Sequence, residues 1–259
     1  GAPFVATGHY ARIRPGADGA PTLCRGAHAN DQAYLLARLP QAWLGQLVFP
    51  LGDYAKTQVR QLARDFGLPV AEKPDSMEIC FIPHGDYAAW LEDRGAVPPP
   101  GPFVDRGGKV LGTHKGIHHY TIGQRRGLGI SAPESLYVCG KSLDSNKVIL
   151  GGKQDLMSTC CYINDINLIP WDHLDKPIKC KVKTRYRQPE QPATIEQLDE
   201  DLIKITFDEP QRAVTPGQAA VLYDGDMVLG GGTILPKALA STREAAEQNS
   251  SRTQVRLDA

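Results

Sequence analysis

The sequence predicts an α/β segment followed by a small β-rich domain and a C-terminal β-barrel. Over about the first third of the chain, helical periodicity alternates with short apolar runs, which is typical of α/β architecture. A stiff proline-rich connector at residues 98–102 then marks a domain boundary. Residues 162–236 contain short runs of alternating apolar and polar residues, as in a small barrel. We therefore place the domains at residues 1–85, 86–160 and 161–237.

Composition indicates an ordinary globular protein. The 259 residues are 41% hydrophobic and 22% charged, and the 29 basic residues balance 29 acidic ones. Net charge therefore gives no sign of a polyanionic partner, and any nucleic-acid surface must come from local clustering. No apolar run reaches membrane-span length and no secretory signal is apparent, so we predict no membrane partner and a cytoplasmic location, with the six cysteines reduced. Residues 238–259 are polar and are expected to be disordered.

The chain opens with an apolar, strand-like run at residues 4–6. This run leads directly into a polar turn that contains Gly8 and His9. Such strand-to-turn junctions are where α/β proteins place ligand contacts, although on this observation alone a plain strand-to-loop turn is the favoured interpretation. Because the sequence starts inside a buried-strand pattern, we expect the beginning of this domain to be missing.

Two helices are predicted in the α/β segment. Residues 13–30 are rich in Gly, Pro, Ala and Asp and are interpreted as a surface excursion, and residues 30–32 then cap a first helix. Asp53 is the predicted N-cap of a second helix that ends at Gly67. Its apolar stripe is expected to face a core and consists of Val59, Leu62, Ala63 and Phe66.

A single cysteine, Cys80, lies in a loop bracketed by Pro74 and Pro83. A cysteine on a loop held by a scaffold suits sulfur chemistry, because the reactive thiolate must be reachable. The alternative is a buried, inert cysteine, which is the commoner case. The two interpretations stay open on spacing alone.

The densest polar stretch covers residues 113–130 and contains three His, one Lys and two Arg among glycines. Basic side chains there could neutralise phosphates, and the His and Tyr rings could stack on unpaired bases. A solvated basic loop is the simpler alternative. The histidines His114, His118 and His119 could instead bind a metal, but the pattern lacks an acidic third ligand and the His-Glu-x-x-His spacing, so no metal site is predicted.

A second basic pattern covers residues 179–187. Period-two alternation puts its Lys and Arg residues on one face, and Cys180, Val182, Thr184 and Tyr186 on the other. A nucleic-acid backbone would compensate the like charges. The alternative is a solvated edge strand that its lysines protect from aggregation.

Five ordered motifs together resemble the bacterial tRNA-specific 2-thiouridylase family, often called MnmA or TrmU. They are residues 6–12 (ATGHYAR), 75–82 (DSMEICFI), 121–129 (TIGQRRGLG), 183–187 (KTRYR) and 214–218 (VTPGQ). The resemblance covers residues 1 to about 236. It implies the remainder of an adenine-nucleotide α-hydrolase-like ATP-pyrophosphatase domain, a small central β-rich domain and a C-terminal β-barrel.

The family's activity implies specific roles for residues of this chain. ATP, with Mg²⁺ expected, adenylates the C2 oxygen of the wobble uridine in tRNA. A cysteine persulfide then transfers sulfur to C2, and a second cysteine helps to release it with formation of a disulfide. Cys80 matches the persulfide-bearing cysteine and Gly8 matches a glycine of the ATP site. The positions that match tRNA contacts are His9, Asn30, Asp31, Gln32, Arg185, Tyr186 and Gln218. A persulfide donor, either a cysteine desulfurase or a sulfur relay protein, is the implied protein partner.

This sequence also departs from the family pattern. The pyrophosphate-binding loop Ser-Gly-Gly-x-Asp-Ser and the second catalytic cysteine are absent from the 259 residues. The resemblance therefore implies a fragment of a sulfurtransferase that is inactive alone. Asn30 stands where relatives often have a basic residue, which weakens the expected phosphate contact there. Two alternatives stay open: a non-catalytic RNA-binding module, and another ATP-pyrophosphatase that modifies RNA.

Overall fold

The structure is a computed structural model that divides into two compact units. It describes residues 2–73, 82, 86–95, 97–236 and 239. The first unit contains the described parts of residues 1–72, 159–210 and 215–259. The second contains the described parts of residues 73–158, together with 211–214. The domain boundaries predicted from the sequence stay a prediction, and the predicted disordered tail lies outside the described residues, except for Leu239.

The N-terminal part of the first unit contains four short strands and three helices. The strands are β1 (Val5–Ala6), β2 (Ala11–Pro15), β3 (Pro21–Arg25) and β4 (Leu47–Val48). The helices are α1 (Ala33–Leu36), α2 (Gln41–Leu44) and α3 (Lys56–Asp65). Strands β1 and β4 form a two-stranded parallel sheet, whereas β2 and β3 form an antiparallel hairpin.

Three predictions for this segment were wrong. Residues 13–30 are not an excursion, because β3 lies in this range and Leu23 is completely buried. Helix α3 begins after Ala55 rather than Asp53, since the Gln58 side chain accepts a hydrogen bond from the Ala55 N–H at 2.8 Å. None of the residues of α3 is buried, and Phe66, just after its end, is 75% exposed. The predicted apolar stripe therefore does not face a core in the described structure.

The C-terminal part of the first unit is a closed six-stranded antiparallel barrel, as predicted. Its strands are β9 (Met157–Leu168), β10 (Ile178–Lys183), β11 (Gln191–Asp199), β12 (Leu202–Arg212), β13 (Ala219–Asp224) and β14 (Met227–Ile234). Pairing runs in the order β13-β10-β11-β12-β9-β14, and β14 closes the ring by pairing with β13. Closure leaves none of these six strands at a free edge.

Alternation along the strands fills the barrel. Ile195, Ile203 and Ile205 are completely buried, while Thr206 is exposed. Close strand approach also requires glycine at Gly230, whose φ is +123° and where a Cβ would collide with the Asn167 carbonyl oxygen. The alternation of buried and exposed side chains follows from the period-two pattern of the sequence.

One shared core joins the hairpin and the short helices to the barrel. Strand β3 pairs with β14 through Cys24 and Met227. The buried residues of this core are Ala11, Leu23, Ala33, Tyr34, Ala37, Leu44, Ile169, Val221, Tyr223 and Val228. The hairpin and α1 are therefore anchored on the barrel, although they are far from it in sequence.

The second unit is built on a four-stranded sheet. Its strands are β5 (Gly101–Val104), β6 (Val110–His114), β7 (Tyr137–Ser142) and β8 (Lys147–Gly151), in the order β6-β5-β8-β7. Helix α4 (Tyr87–Glu92) precedes the sheet, and two 3-10 turns lie at Ile117–His119 and Lys153–Leu156. The main core residues are Phe103, Ile117, Tyr120, Leu128, Val138, Val148 and Leu150. Among the described helices of the chain, none is long and apolar enough to cross a membrane.

Candidate RNA-binding site

Gln32 fixes the loop after β3 against the strand that follows His9. Its side-chain Oε1 accepts a hydrogen bond from the Tyr10 N–H at 3.0 Å, and its own N–H donates to the Tyr10 carbonyl at 2.8 Å. Gly26 lies against the same carbonyl, because a Cβ there would come within 2.7 Å of the Tyr10 oxygen. The two sequence-predicted residues His9 and Gln32 are thereby held near each other.

Asp31 uses its carboxylate to shape the same loop. Its Oδ1 accepts hydrogen bonds from the Gly26 N–H at 2.9 Å and the Ala33 N–H at 3.0 Å, and the latter lies at the start of α1. The Asp31 backbone carbonyl accepts a hydrogen bond from the Tyr186 hydroxyl at 3.2 Å. This contact joins two predicted tRNA-binding residues that are 155 positions apart. Asn30 is half-buried beside them.

Tyr186 forms an aromatic and cationic cluster with two residues that the resemblance did not assign. Its ring centroid is 5.8 Å from that of Tyr34, with an interplanar angle of 55°. The Lys183 Nζ lies 5.6 Å from the Tyr186 centroid and 5.8 Å from the Tyr34 centroid, within the range of a cation–π interaction. Tyr186 is still 38% exposed, so part of its ring remains open to a ligand.

Burial controls the protonation of this cluster. Partial burial is the main cause that lowers the pKa of Lys183, while the nearby Asp31 carboxylate opposes the shift. Burial also raises the pKa of Tyr186, again with a contribution from Asp31. The phenol therefore stays protonated and can donate its hydrogen bond throughout the physiological range.

The basic alternation predicted around β10 holds only within the strand. Lys179 and Lys181 are exposed and Val182 is buried, as predicted. The strand ends at Lys183, so Arg185 and Tyr186 lie in the following turn rather than on opposite faces of a strand. The assignment of Tyr186 to the apolar face was therefore wrong, and the turn brings its ring to the surface.

Arg185 is connected to the loop that carries Gln218. The Arg185 Nη2 donates a hydrogen bond to the Thr215 Oγ1 at 2.7 Å. The Gln218 N–H donates to the Thr215 carbonyl at 3.2 Å, and the Gln218 side chain is exposed. Thr215 thus links these two predicted positions.

Sequence patterns also missed an ion pair whose two charges act on Lys183 of this cluster. The Arg25 Nη2 lies 3.2 Å from the Glu190 Oε1, and the Arg25 guanidinium stacks 4.0 Å from the centroid of the buried Tyr223 ring. No local pattern in the sequence marks Arg25 or Tyr34, because their partners come from distant strands. Only the pairing of β3 with the barrel brings them here.

Gly8 and His9 follow the carboxyl end of the parallel strand β1, a usual position for ligand contacts. Gly8 is exposed, and a Cβ there would make an ordinary 3.7 Å contact with Leu51. The His9 Nδ1 lies 2.9 Å from the Thr7 Oγ1, and its ring packs edge-on against Phe49 at 6.2 Å. Gly8 therefore has room for a ligand on its open side.

Cys80, the predicted persulfide-bearing cysteine, lies outside the described residues. Burial raises the pKa of Cys24 and of Cys139, and raises the pKa of Cys161 and Cys180 to about 12. Thiols that stay protonated are poor nucleophiles. These four cysteines are therefore unsuited to sulfur transfer.

The polar stretch of the second unit is less open than its composition indicates. His114 is buried, and its Nε2 lies 3.0 Å from the Asn146 carbonyl oxygen. Tyr120 is buried in the core of the sheet. Neither ring can therefore stack on a base, whereas Arg125 and Arg126 are exposed. His118 and His119 both contact Glu92, which lies 26 residues before His118 in the chain.

Three family models match successive parts of the chain. They describe a tRNA methyl transferase HUP domain at residues 1–84, a tRNA methyl transferase PRC-barrel domain at 89–152 and an aminomethyltransferase β-barrel domain at 158–234. This combination, together with the closed barrel, defines a class of multidomain tRNA-modifying enzymes.

Sequence identity to curated relatives identifies one family within this class. The chain is 44% identical over 235 residues to the tRNA-specific 2-thiouridylase MnmA of Halothermothrix orenii, covering 90% of this chain and 66% of the relative. It is 47% identical over 236 residues to the protein of the same name from Geobacter metallireducens, covering 90% of this chain and 64% of that relative. The chain belongs to the tRNA-specific 2-thiouridylase (MnmA/TrmU) family. It spans about two thirds of the length of the relatives that it matches.

Proposed function

We propose that this chain is the larger part of a tRNA-specific 2-thiouridylase, an ATP-dependent sulfurtransferase that acts on the wobble uridine of tRNA. The observation that carries the proposal is the Tyr186–Asp31 hydrogen bond, which unites predicted tRNA-binding residues from the N-terminal loop and the barrel. The 44–47% identity to MnmA proteins supports the same assignment.

The proposed RNA contacts follow from the side-chain chemistry of the cluster. The exposed part of the Tyr186 ring can stack on an unpaired base, and Lys183 adds positive charge beside it. The planar Arg185 guanidinium matches a phosphate. The remaining proposed contacts, from polar groups around this centre, are His9, Asn30, Asp31, Gln32 and Gln218. An anticodon loop with splayed bases suits such a surface.

ATP, bound with Mg²⁺, is the proposed second substrate. Gly8, at the open end of β1, is the residue of this chain that would contact it. Adenylation turns the C2 oxygen of the uridine into part of a leaving group. The remainder of the nucleotide site would come from the pyrophosphate loop, which is absent from the 259 residues.

Cys80 is the proposed sulfur carrier. The terminal sulfur of its persulfide forms a bond to C2 while AMP leaves with the former carbonyl oxygen. The thiolate of a second cysteine, from outside this sequence, then attacks the Cys80 sulfur. The two cysteines are oxidised to a disulfide, and the sulfur stays on the base. A cysteine desulfurase or a sulfur relay protein would supply the persulfide in the cytoplasm.

A sulfur-transfer assay tests this function. Unmodified tRNA, ATP with Mg²⁺, and a cysteine desulfurase with labelled cysteine as the persulfide source would be incubated with this chain, with an N-terminally extended version and with the extended Cys80→Ser variant. We expect ATP-dependent thiolation by the extended protein only. Cys180→Ser in the extended protein is the matched control, because the raised pKa of this thiol makes it a poor nucleophile.

The alternatives predict different outcomes. If the extended protein and its Cys80→Ser variant bind tRNA equally and neither transfers sulfur, the chain belongs to a non-catalytic RNA-binding protein. If ATP is consumed and the RNA acquires a group other than sulfur, another ATP-pyrophosphatase chemistry replaces the proposed one.

A further inference from the structure

Two histidines and a glutamate form a compact cluster in the second unit. The His118 Nε2 lies 2.8 Å from the Glu92 Oε1, and the His119 Nε2 lies 2.9 Å from the same oxygen. One donor atom from each of the three side chains lies within 4.8 Å of the other two. The two imidazole centroids are 4.1 Å apart.

The acidic member of the cluster comes from a distant part of the chain. His118 and His119 lie on the 3-10 turn Ile117–His119, whereas Glu92 is the last residue of α4. The sequence shows no acidic partner near the histidines, because Glu92 reaches them only through the fold. The structure therefore places beside His118 and His119 the acidic side chain that residues 113–130 themselves lack.

The backbone beside the cluster leaves space for the His118 ring. Gly116 has a φ of +147°, and a Cβ at this position would lie 2.6 Å from the His118 Cε1. The imidazoles are sheltered, with side-chain exposures of 6% for His118 and 15% for His119, while the Glu92 side chain is 38% exposed. The two imidazoles are thus largely enclosed, while the Glu92 carboxylate side of the cluster faces solvent.

We propose that Glu92, His118 and His119 bind a divalent transition-metal ion of the Zn²⁺ type. Two imidazole nitrogens and one carboxylate oxygen are a known three-residue donor set for zinc, which leaves a fourth position open. Ligand bonds of about 2.0–2.2 Å in a tetrahedron separate donor atoms by roughly 3.3 Å. The present 2.8 and 2.9 Å separations need to widen by only about half an ångström. Such an ion would tie α4 to the 3-10 turn.

Co²⁺ titration of the 259-residue chain, followed by displacement with Zn²⁺, tests the site. We expect one equivalent of Co²⁺ to give visible d–d absorption that Zn²⁺ abolishes. Glu92→Gln keeps the side-chain shape and removes the anionic ligand, while His119→Ala removes an imidazole. Each substitution should weaken Zn²⁺ binding by about 100-fold or more, since even the loss of a group behind a ligand costs 10–100-fold.

Controls separate this site from other metal-binding groups. His173→Ala disrupts a different His–carboxylate pair, in which the His173 Nε2 lies 2.6 Å from the Asp175 Oδ1, and it should leave the affinity unchanged. Thiolate-to-cobalt charge-transfer absorption would assign the metal to cysteines and overturn the proposal. So would the absence of binding to the unaltered chain, or unchanged affinity in Glu92→Gln. Because Glu92 is partly exposed, this variant decides the test even if His119→Ala fails to fold.

Discussion

The C-terminal barrel and the N-terminal α/β segment bury their apolar side chains to very different extents. Ile195, Ile203 and Ile205 of the barrel are completely inaccessible to solvent. In the α/β segment, Phe4 is 59% exposed and Phe66 is 75% exposed. The barrel completes its own core by closing its sheet, whereas the parallel sheet β1–β4 has two strands in the part of the segment that the structure describes. Parallel strands are usually covered on both faces.

This difference shows which part of the segment depends on the barrel. The portion that includes Tyr34 and Leu44 is buried because it packs against Val221 and Tyr223 of the barrel core. Helix α3 has no buried residues. The proposed RNA-binding cluster around Tyr186 lies where the two regions meet, so the anchored loop and the barrel turn form one surface.

Ile205→Ala should have the largest effect on stability. Removing this buried side chain from the barrel should lower the free energy of unfolding by about 2–5 kcal/mol, since a cavity remains. Urea denaturation followed by far-UV circular dichroism measures the change. Thr206→Ala, at the neighbouring exposed position, should change the value by less than about 0.5 kcal/mol. Equal decreases in stability in the two variants would contradict the alternation of buried and exposed side chains along β12.

Tyr186→Ala tests the surface shared by the two regions. Loss of base stacking should weaken binding of unmodified tRNA by about 1–3 kcal/mol. Tyr186→Phe keeps the ring and removes only the hydrogen bond to Asp31, which is made within the free protein, so it should weaken tRNA binding less than Tyr186→Ala does. Fluorescence anisotropy at one fixed salt concentration measures both. Equal losses would mean that the hydroxyl, rather than the ring, matters for binding.

Cys180→Val should make the barrel more resistant to alkali. Burial raises the pKa of Cys180 from 9.0 to about 12 in the folded state, so the unfolded chain loses this proton first. The stabilisation is fully present below pH 9.0 and is lost as the pH rises towards 12. At about pH 10.5, ionisation of Cys180 in the unfolded state should have lowered the free energy of unfolding of the unaltered chain by roughly 2 kcal/mol. The variant lacks this thiol and should not show that decrease. Denaturation curves at neutral and alkaline pH measure this difference. Equal decreases in the free energy of unfolding of the two proteins would refute the raised pKa of Cys180.

Phe66→Ser should have the smallest effect. The side chain is mostly exposed, so its removal should change the free energy of unfolding by no more than about 0.5 kcal/mol. The same urea titration measures it, with Leu44→Ala as the buried comparison within the segment. Leu44→Ala should cost about 2–5 kcal/mol. A large effect of Phe66→Ser would show that this end of α3 is buried in solution.

Local patterns in the sequence predicted much of the fold. The alternation around Lys181 and Val182 correctly indicated a strand. The hairpin β2–β3 was missed because the glycines and prolines of this segment indicated a surface loop, although Leu23 is completely buried. The stripe that ends at Phe66 was misassigned, since periodicity reports which side chains share a face but does not show what covers it.

The sequence by itself determined the order of domain types, the family and the candidate residues, because motifs and periodicity are properties of neighbouring residues. Only the tertiary structure decided which of these residues meet. Tyr186 reaches Asp31 across 155 positions, and Glu92 reaches His118 across 26. The reason is physical: strand pairing and core packing bring distant segments together, and no local pattern encodes the distance between their side chains.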